Sequence, residues 1–242
     1  MGECAGPGGG GGSVARQERA IRTRRSIVEA AASVFDERGY EAATIGEILT
    51  RSGVTKGALY FHFPSKQALA EGVLHEQLAV LSLPPRVCKL QEMVDVGLLT
   101  AYRMRRDAVV SAAAKLSLEH GLRAQFGTHL VTAWVDTSEK LLREAQDQGE
   151  LLPGVDAAES AWLLSAAWTG VQMHSHILVE RRDLEERIAA LFRHLLPAVA
   201  VPAVLGRLVI TAERAAQLGA ENEEYVVRQA RDGAGEEPVT AG

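Results

Sequence analysis

Only two cysteines, Cys4 and Cys88, occur in 242 residues, far apart and with no secretory leader ahead of them. That count argues against a disulfide framework and makes a reducing cytoplasm the expected home. No apolar run approaches the roughly 18 residues a membrane span needs, and Gly6 stands where N-myristoylation wants a hydroxyl residue. Nucleophile elbows, phosphate-cradling glycine loops and paired-cysteine zinc patterns are missing, so the chain carries no signature of an enzyme, a cofactor or a metal. His174 and His176 do not supply one, because residues two apart on a helix point roughly 160° away from each other and cannot share an ion. Basic residues are outnumbered, 26 Lys and Arg against 31 Asp and Glu, for a net charge of -5. Such a balance disfavours indiscriminate coating of nucleic acid. It is compatible with a local basic patch, and Arg16, Arg19, Arg22, Arg24 and Arg25 fall in one short stretch. Internal repeats and strand-like alternation are also essentially absent.

What the sequence does contain is helical periodicity, and the expected fold class is all-α. A first helix over 16–38 presents Ile27, Ala30, Ala31, Val34 and Phe35 on one face, and Gly39 is placed to end it. A second strong signal runs over 66–81, after which Pro84 and Pro85 interrupt it. Further helices are predicted over 88–102, 106–119, 125–148, 157–179, 184–196 and 203–218, punctuated by Gly121, Gly149, Pro153, Gly154 and Pro197. The glycine run Gly8 to Gly12 predicts a flexible arm over 1–15. Two domains follow, 16–82 and 86–219, and the polar, acidic stretch 220–242 is expected to be a disordered tail.

The most informative stretch lies between residues 44 and 66. Thr44 can cap a short helix, and Glu47 three residues on completes a capping-box pattern, with Ile45, Ile48 and Leu49 on one face. Gly53 permits the left-handed backbone that ends a helix and turns the chain. A second helix then offers Val54, Leu59 and Phe63 as apolar anchors and Thr55, Lys56, Tyr60 and His62 as outward donors, suited to phosphate oxygens or base edges. Gly57 and Ala58 are small enough to let that helix approach bases closely. The pattern is that of a helix-turn-helix, although a plain helical hairpin also fits it.

At these residues the chain resembles the TetR family of bacterial transcription regulators. The shared signature is a glycine turn followed by a Lys-Gly-x-Leu-Tyr-x-His-Phe run and a lysine, here Lys56 to Phe63 and Lys66. The resemblance extends over 27–40 through Ala30, Ala31, Phe35, Gly39 and Tyr40. It implies a DNA-binding domain in which Thr44, Thr55, Lys56, Gly57, Ala58, Tyr60, His62 and Lys66 face an operator.

In the second domain, 157–179 wound as a helix lines up Ser165, Thr169, Gln172 and His176 between Trp162 and Trp168, which suits a pocket wall. Leu163, Ala167, Gly170 and His174 fall on the opposite face, where small residues suit a subunit contact. In the preceding helix Trp134 belongs to an apolar face; a core role and a ligand role are both open to it. Within the family, the reading run together with Trp134 and Thr169 looks most like receptors for gamma-butyrolactone hormones. That resemblance implies Trp134 and Thr169 as ligand contacts, with Ser165, Gln172 and His176 beside them. The expected function is a cytoplasmic, homodimeric repressor released from a palindromic double-stranded DNA operator by a small effector such as a gamma-butyrolactone or furan. A regulator that has lost hormone binding, or a helical interaction module without a DNA partner, remains the alternative.

Overall fold

The computed structural model describes residues 11–117 and 129–235. Among them every element is helical, and a lone backbone bridge between Leu151 and Ala200 is the one piece of strand-like pairing. In chain order the helices are α1 (Gly11–Ala42), α2 (Ile45–Ser52), α3 (Lys56–His62), α4 (Lys66–Val80), α5 (Lys89–Met104) and α6 (Ala108–Leu116). They continue as α7 (His129–Asp147), α8 (Ala157–Val179), α9 (Leu184–Leu195), the short α10 (Pro202–Leu205) and α11 (Ala212–Gly235). None of them is long and apolar enough to cross a membrane. Gly39 (φ 75°, ψ 168°) breaks the helical path near the end of α1, the stop expected of it.

Two apolar cores organise these helices. The first buries Ile27, Val34 and Phe35 of α1, Ile48 of α2, Leu59 of α3, and Leu69 and Val73 of α4. Full burial of each such side chain stabilises by about 1.5–3 kcal/mol. Val109, Ala112, Ala113 and Leu116 of α6 belong to the same core. The prolines therefore divide the chain without dividing the packing: α6, expected within the 86–219 domain, completes the N-terminal head. The second core joins Leu90, Val94 and Leu98 of α5, Leu142 of α7, Ala161 of α8, Ile188 and Phe192 of α9, and Leu218 of α11.

The C-terminal expectation is corrected. Instead of one helix over 203–218 followed by disorder, the chain breaks at Gly206 and then runs helically from Ala212 to Gly235, so the helix covers much of the predicted tail. Residues 236–242 lie outside the described residues, as do 1–10 of the predicted arm, whose remaining residues 11–15 open α1. Long-range polar contacts order the acidic stretch. Asn222 is fully buried, accepts from Arg103 at 3.0 and 2.6 Å, and donates to the Ser82 carbonyl at 2.6 Å. Arg86 grips Glu221 with two bonds of 2.7 and 2.6 Å and also reaches buried Asp95 at 3.0 Å, a carboxylate that Arg214 holds at 2.6 Å. A polar residue with partners this far away in sequence cannot be told from a solvated one by composition.

Asn222→Ala removes the side-chain donor to the Ser82 carbonyl and leaves Arg103 with only its longer ion pairs, to Asp107 at 3.9 Å and Glu223 at 3.6 Å. It should lower unfolding free energy by about 1–3 kcal/mol, read as a shifted midpoint in urea denaturation.

Candidate functional site

The segment between α1 and α4 folds by local rules. Thr44 accepts from the Glu47 amide at 3.2 Å while the Glu47 carboxylate accepts from the Thr44 amide at 3.1 Å, a complete capping box. Hydrogen bonds donated to it by the Thr44 hydroxyl, first, and by the Thr44 amide hold the Glu47 carboxyl below its ordinary pKa. Gly53 takes the left-handed conformation (φ 66°) and its amide closes α2 on Leu49, and α3 begins three residues later at Lys56. Thr55 caps α3 by accepting from the Ala58 amide at 3.2 Å, and Ser65 caps α4 by accepting from Ala68 at 3.0 Å.

The outer edge of α3 carries most of the expected DNA-facing residues. Leu59 and Phe63 are buried and anchor the helix, whereas Thr55, Lys56, Gly57 and Tyr60 are exposed, and Ala58 and His62 are half-buried. The Lys56 ammonium lies 6.0 Å from the centre of the Tyr60 ring, on the same side of the helix. A Cβ built on Gly57 would meet no atom within 4 Å. Glycine costs up to about 1 kcal/mol against alanine in a helix interior, and no packing inside the protein asks for it here.

Three features go beyond the sequence reading. Phe61 is 82% exposed, its ring edge-on to His62, beside the donors of α3. The helical wheel placed it opposite buried Leu59, which was the available signal. Thr44 is exposed, but its hydroxyl also donates to Glu47 at 2.9 Å, so both its hydroxyl hydrogen and its amide serve the cap. Lys66 donates to the Glu41 carbonyl at 3.1 Å and sits 4.5 Å over the Tyr40 ring, stapling the end of α1 to the start of α4. Of the five arginines clustered over residues 16–25 of α1, Arg24 pairs with Glu76 and Arg25 with Glu29, while Arg16, Arg19 and Arg22 are exposed.

The second site is a cavity of about 120 Å³. Trp134, Thr137 and Ser138 of α7 line it together with Ser165, Trp168, Thr169 and Gln172 of α8. Four expected ligand residues, Trp134, Ser165, Thr169 and Gln172, are thus brought together. His176 is not among them: it lies one turn beyond, where burial first and the charges of Arg181 and Lys115 next push its imidazole pKa down. Trp162 also departs from expectation. It is 64% exposed and continues the outward face formed by Leu163, Ile177 and Leu178, leaving Trp168 as the α8 tryptophan in the cavity.

Two properties of the cavity decide its chemistry. No charged side chain occurs among its described lining residues. Three lining residues nevertheless keep a buried polar atom without a partner in the protein: Gln77 Oε1, Gln172 Oε1 and Trp168 Nε1. Buried polar atoms are normally satisfied, so two acceptors and one donor in an apolar chamber favour an uncharged guest with complementary groups. Gln77 lies on α4, and Ala114 and Ser117 lie on and just after α6, so elements of the head form part of the wall. Gly97 lines the chamber where a Cβ would stand 2.6 Å from the Phe192 ring, so the absence of a side chain lets that ring pack against α5.

Comparison with known proteins follows this division. The profile of bacterial regulatory proteins of the tetR family matches residues 27–73, and that of the tetracyclin repressor-like C-terminal domain matches residues 109–191. The A-factor receptor protein of Streptomyces griseus is 38% identical over 233 residues, 94% of this chain and 84% of its own. The chain belongs to the TetR family. It is accordingly a DNA-binding regulator and not an enzyme. The crystal structure of TylP, a TetR regulator from Streptomyces fradiae, superposes with a TM-score of 0.79 at 47% identity, covering 84% of this chain and 99% of that one. CprB from Streptomyces coelicolor in complex with its biological operator gives 0.62 at 27% identity over 85% and 99%. Within this TetR-family chain, α2 and α3 are the helix-turn-helix pair, and α5, α7, α8 and α9 supply most of the cavity wall.

The turn itself can be probed without DNA. Gly53→Ala adds a Cβ that meets nothing but must hold a left-handed backbone, so urea denaturation should show a loss of about 1–2 kcal/mol. Gly53→Asn, a residue that visits that conformation readily, should lose less.

Proposed function

We propose that this chain is a homodimeric repressor whose paired α3 helices occupy successive major grooves of a near-palindromic operator, about 34 Å apart, until an uncharged effector releases them. The observation that carries this reading is the shared wall of the cavity: Gln77 on α4 and Ala114 on α6 touch the chamber from elements whose other residues build the head. A guest that fits one position of those helices better than another shifts the head, and differential affinity is the sole means by which a ligand moves such an equilibrium. Coupling of about 1–3 kcal/mol is usual.

On the DNA side, Thr55 and Lys56 reach bases or adjacent phosphates, and Gly57 and Ala58 allow close approach. Tyr60, His62 and Lys66 contact phosphates and set the register, with Thr44 near the backbone. Thr55 caps through an oxygen lone pair, which leaves its hydrogen able to donate. Exposed Phe61 adds an apolar surface of the kind that meets thymine methyls.

On the effector side, Trp134, Ser165, Thr169 and Gln172 surround the guest, and Trp168 and Gln77 join them. An uncharged wall would strip a carboxylate of water without compensation, so a neutral gamma-butyrolactone, or a neutral furan, fits better than an anion. Likeness to the A-factor receptor and to a crystal structure described as a gamma-butyrolactone receptor supports that class. The three unpartnered polar atoms favour a working chamber over one that has lost its ligand. The exposed apolar stripe of α8, Trp162, Leu163, Ile177 and Leu178, is the surface through which two copies pair. Such a regulator works on the chromosome, in the bacterial cytoplasm.

Selection of bound duplexes from a random DNA pool should return a symmetric motif; an asymmetric motif or none would overturn the paired-helix arrangement. Lys56→Ala should weaken binding to the selected operator by about 1–3 kcal/mol in gel shift, with the dimer intact in sedimentation. Trp134→Ala should retain operator affinity yet no longer be released by A-factor, the ligand named for the Streptomyces griseus relative. Release at an unchanged dose would place the effector elsewhere.

A further inference from the structure

Beyond the end of α8 lies a polar junction that neither the reading edge nor the cavity uses. The turn leaving α8 holds two successive non-glycine residues in the left-handed region, Glu180 (φ 54°) and Arg181 (φ 62°). Side chains of that size rarely adopt this backbone, and where they do, surrounding contacts impose it. Here the Glu180 and Arg181 amides close on the His176 and Ser175 carbonyls, each at 3.0 Å. Arg181 is also among the most enclosed charged residues of the chain, 5% exposed.

The guanidinium reaches across to the head. Arg181 Nη1 donates to the Ser111 hydroxyl at 2.8 Å, and that hydroxyl donates to Asp36 Oδ1 at 2.6 Å. Lys115 meets the same carboxylate at 2.8 Å and the Asp36 carbonyl at 2.6 Å. Arg181 Nε finds no partner. Three elements thus meet through one serine oxygen: α1 through Asp36, α6 through Ser111, and the α8 exit through Arg181. Each is tied to a function already described. On α6, Ala114 faces the cavity close to Ser111 and Lys115; α8 supplies Ser165, Thr169 and Gln172 to the same cavity. On α1, the residue after Asp36 is Glu37, which pairs with Arg51 of the helix-turn-helix.

We propose that Asp36, Ser111 and Arg181 are positioning residues that fix the angle of the DNA-binding head on the body, and with it the separation of the two reading helices in the dimer. This rests on the paired-head reading above. Apolar packing can hold an interface as firmly as a buried ionic contact. Directional bonds through a single hydroxyl add one preferred orientation, and a strained turn with an incompletely paired cation is a contact that can be broken and remade as the cavity changes shape.

The test compares the affinity of each protein for the selected operator with its affinity for versions whose half-sites are moved by one or two base pairs. Each base pair shifts a half-site by about 3.4 Å along the duplex and rotates it by about 34°. The wild-type protein should prefer the native spacing. Ser111→Ala and Arg181→Met should each reduce that preference at least about fivefold, the low end of usual coupling. The readout is a ratio on one preparation, so a loss of folded protein cancels from it, and a merely structural role would weaken binding to all operators alike. Variants whose spacing preference stays within about twofold of wild type would overturn the inference. A wild-type protein indifferent to spacing would overturn the paired-head reading as well, and the two failures are told apart by the wild-type measurement alone.

Discussion

The burial of α6 against α1 and α4 is the contact on which the rest of this structure depends. Val109, Ala112, Ala113 and Leu116 enter the core of the head, while Ala114 on the same short helix lines the cavity. A nine-residue helix with apolar side chains on nearly every face cannot be moved from one side without disturbing the other. Interfaces packed to this density respond by switching between arrangements and not by bending gradually. That property is what a regulator needs if occupancy of a small chamber is to be felt by helices reading DNA.

The reading edge and the chamber follow opposite physical rules. Along α3 the anchors Leu59 and Phe63 are buried, and the outer side is left small and polar, with an exposed glycine for which the protein interior has no use. A surface built this way gains from what it approaches, not from its own packing. In the chamber the polar atoms are buried, and Gln77, Trp168 and Gln172 are left without protein partners. Each unmet group costs free energy in the empty state, so a guest that supplies the missing bonds is favoured beyond its apolar burial.

Polar groups also decide how the helices are assembled. Asp95, held by Arg86 and Arg214, and Asn222, held between Arg103 and the Ser82 carbonyl, pin the segment between α4 and α5 to α11. The Asp36, Ser111 and Arg181 contact performs the corresponding task between α1 and the end of α8. In both places charged or amide side chains are buried where apolar ones would pack, and what they contribute is direction.

Local features were legible from the sequence because their causes lie within a few residues. The capping box of Thr44 and Glu47, the left-handed Gly53 and the span of α8 depend on near neighbours and on helical spacing. The grouping of Ser165, Thr169 and Gln172 on one face follows from the same periodicity. Which face turned inward was not local. Periodicity placed Trp162 and His176 beside the pocket, and packing put Trp162 in solvent and His176 among Lys115 and Arg181, because a helical face is wide and its neighbours choose which part to cover. Composition marked the stretch after residue 220 as disordered, yet Arg86 and Arg103, more than a hundred positions away, order it. By itself the sequence determined where the helix-turn-helix pair starts, stops and turns, and which donors its second helix carries. The tertiary structure alone decided that α6 belongs to the head, that Gln77 reaches the chamber and that Arg181 meets Asp36 through Ser111, since those contacts join side chains that nothing local in the chain brings together.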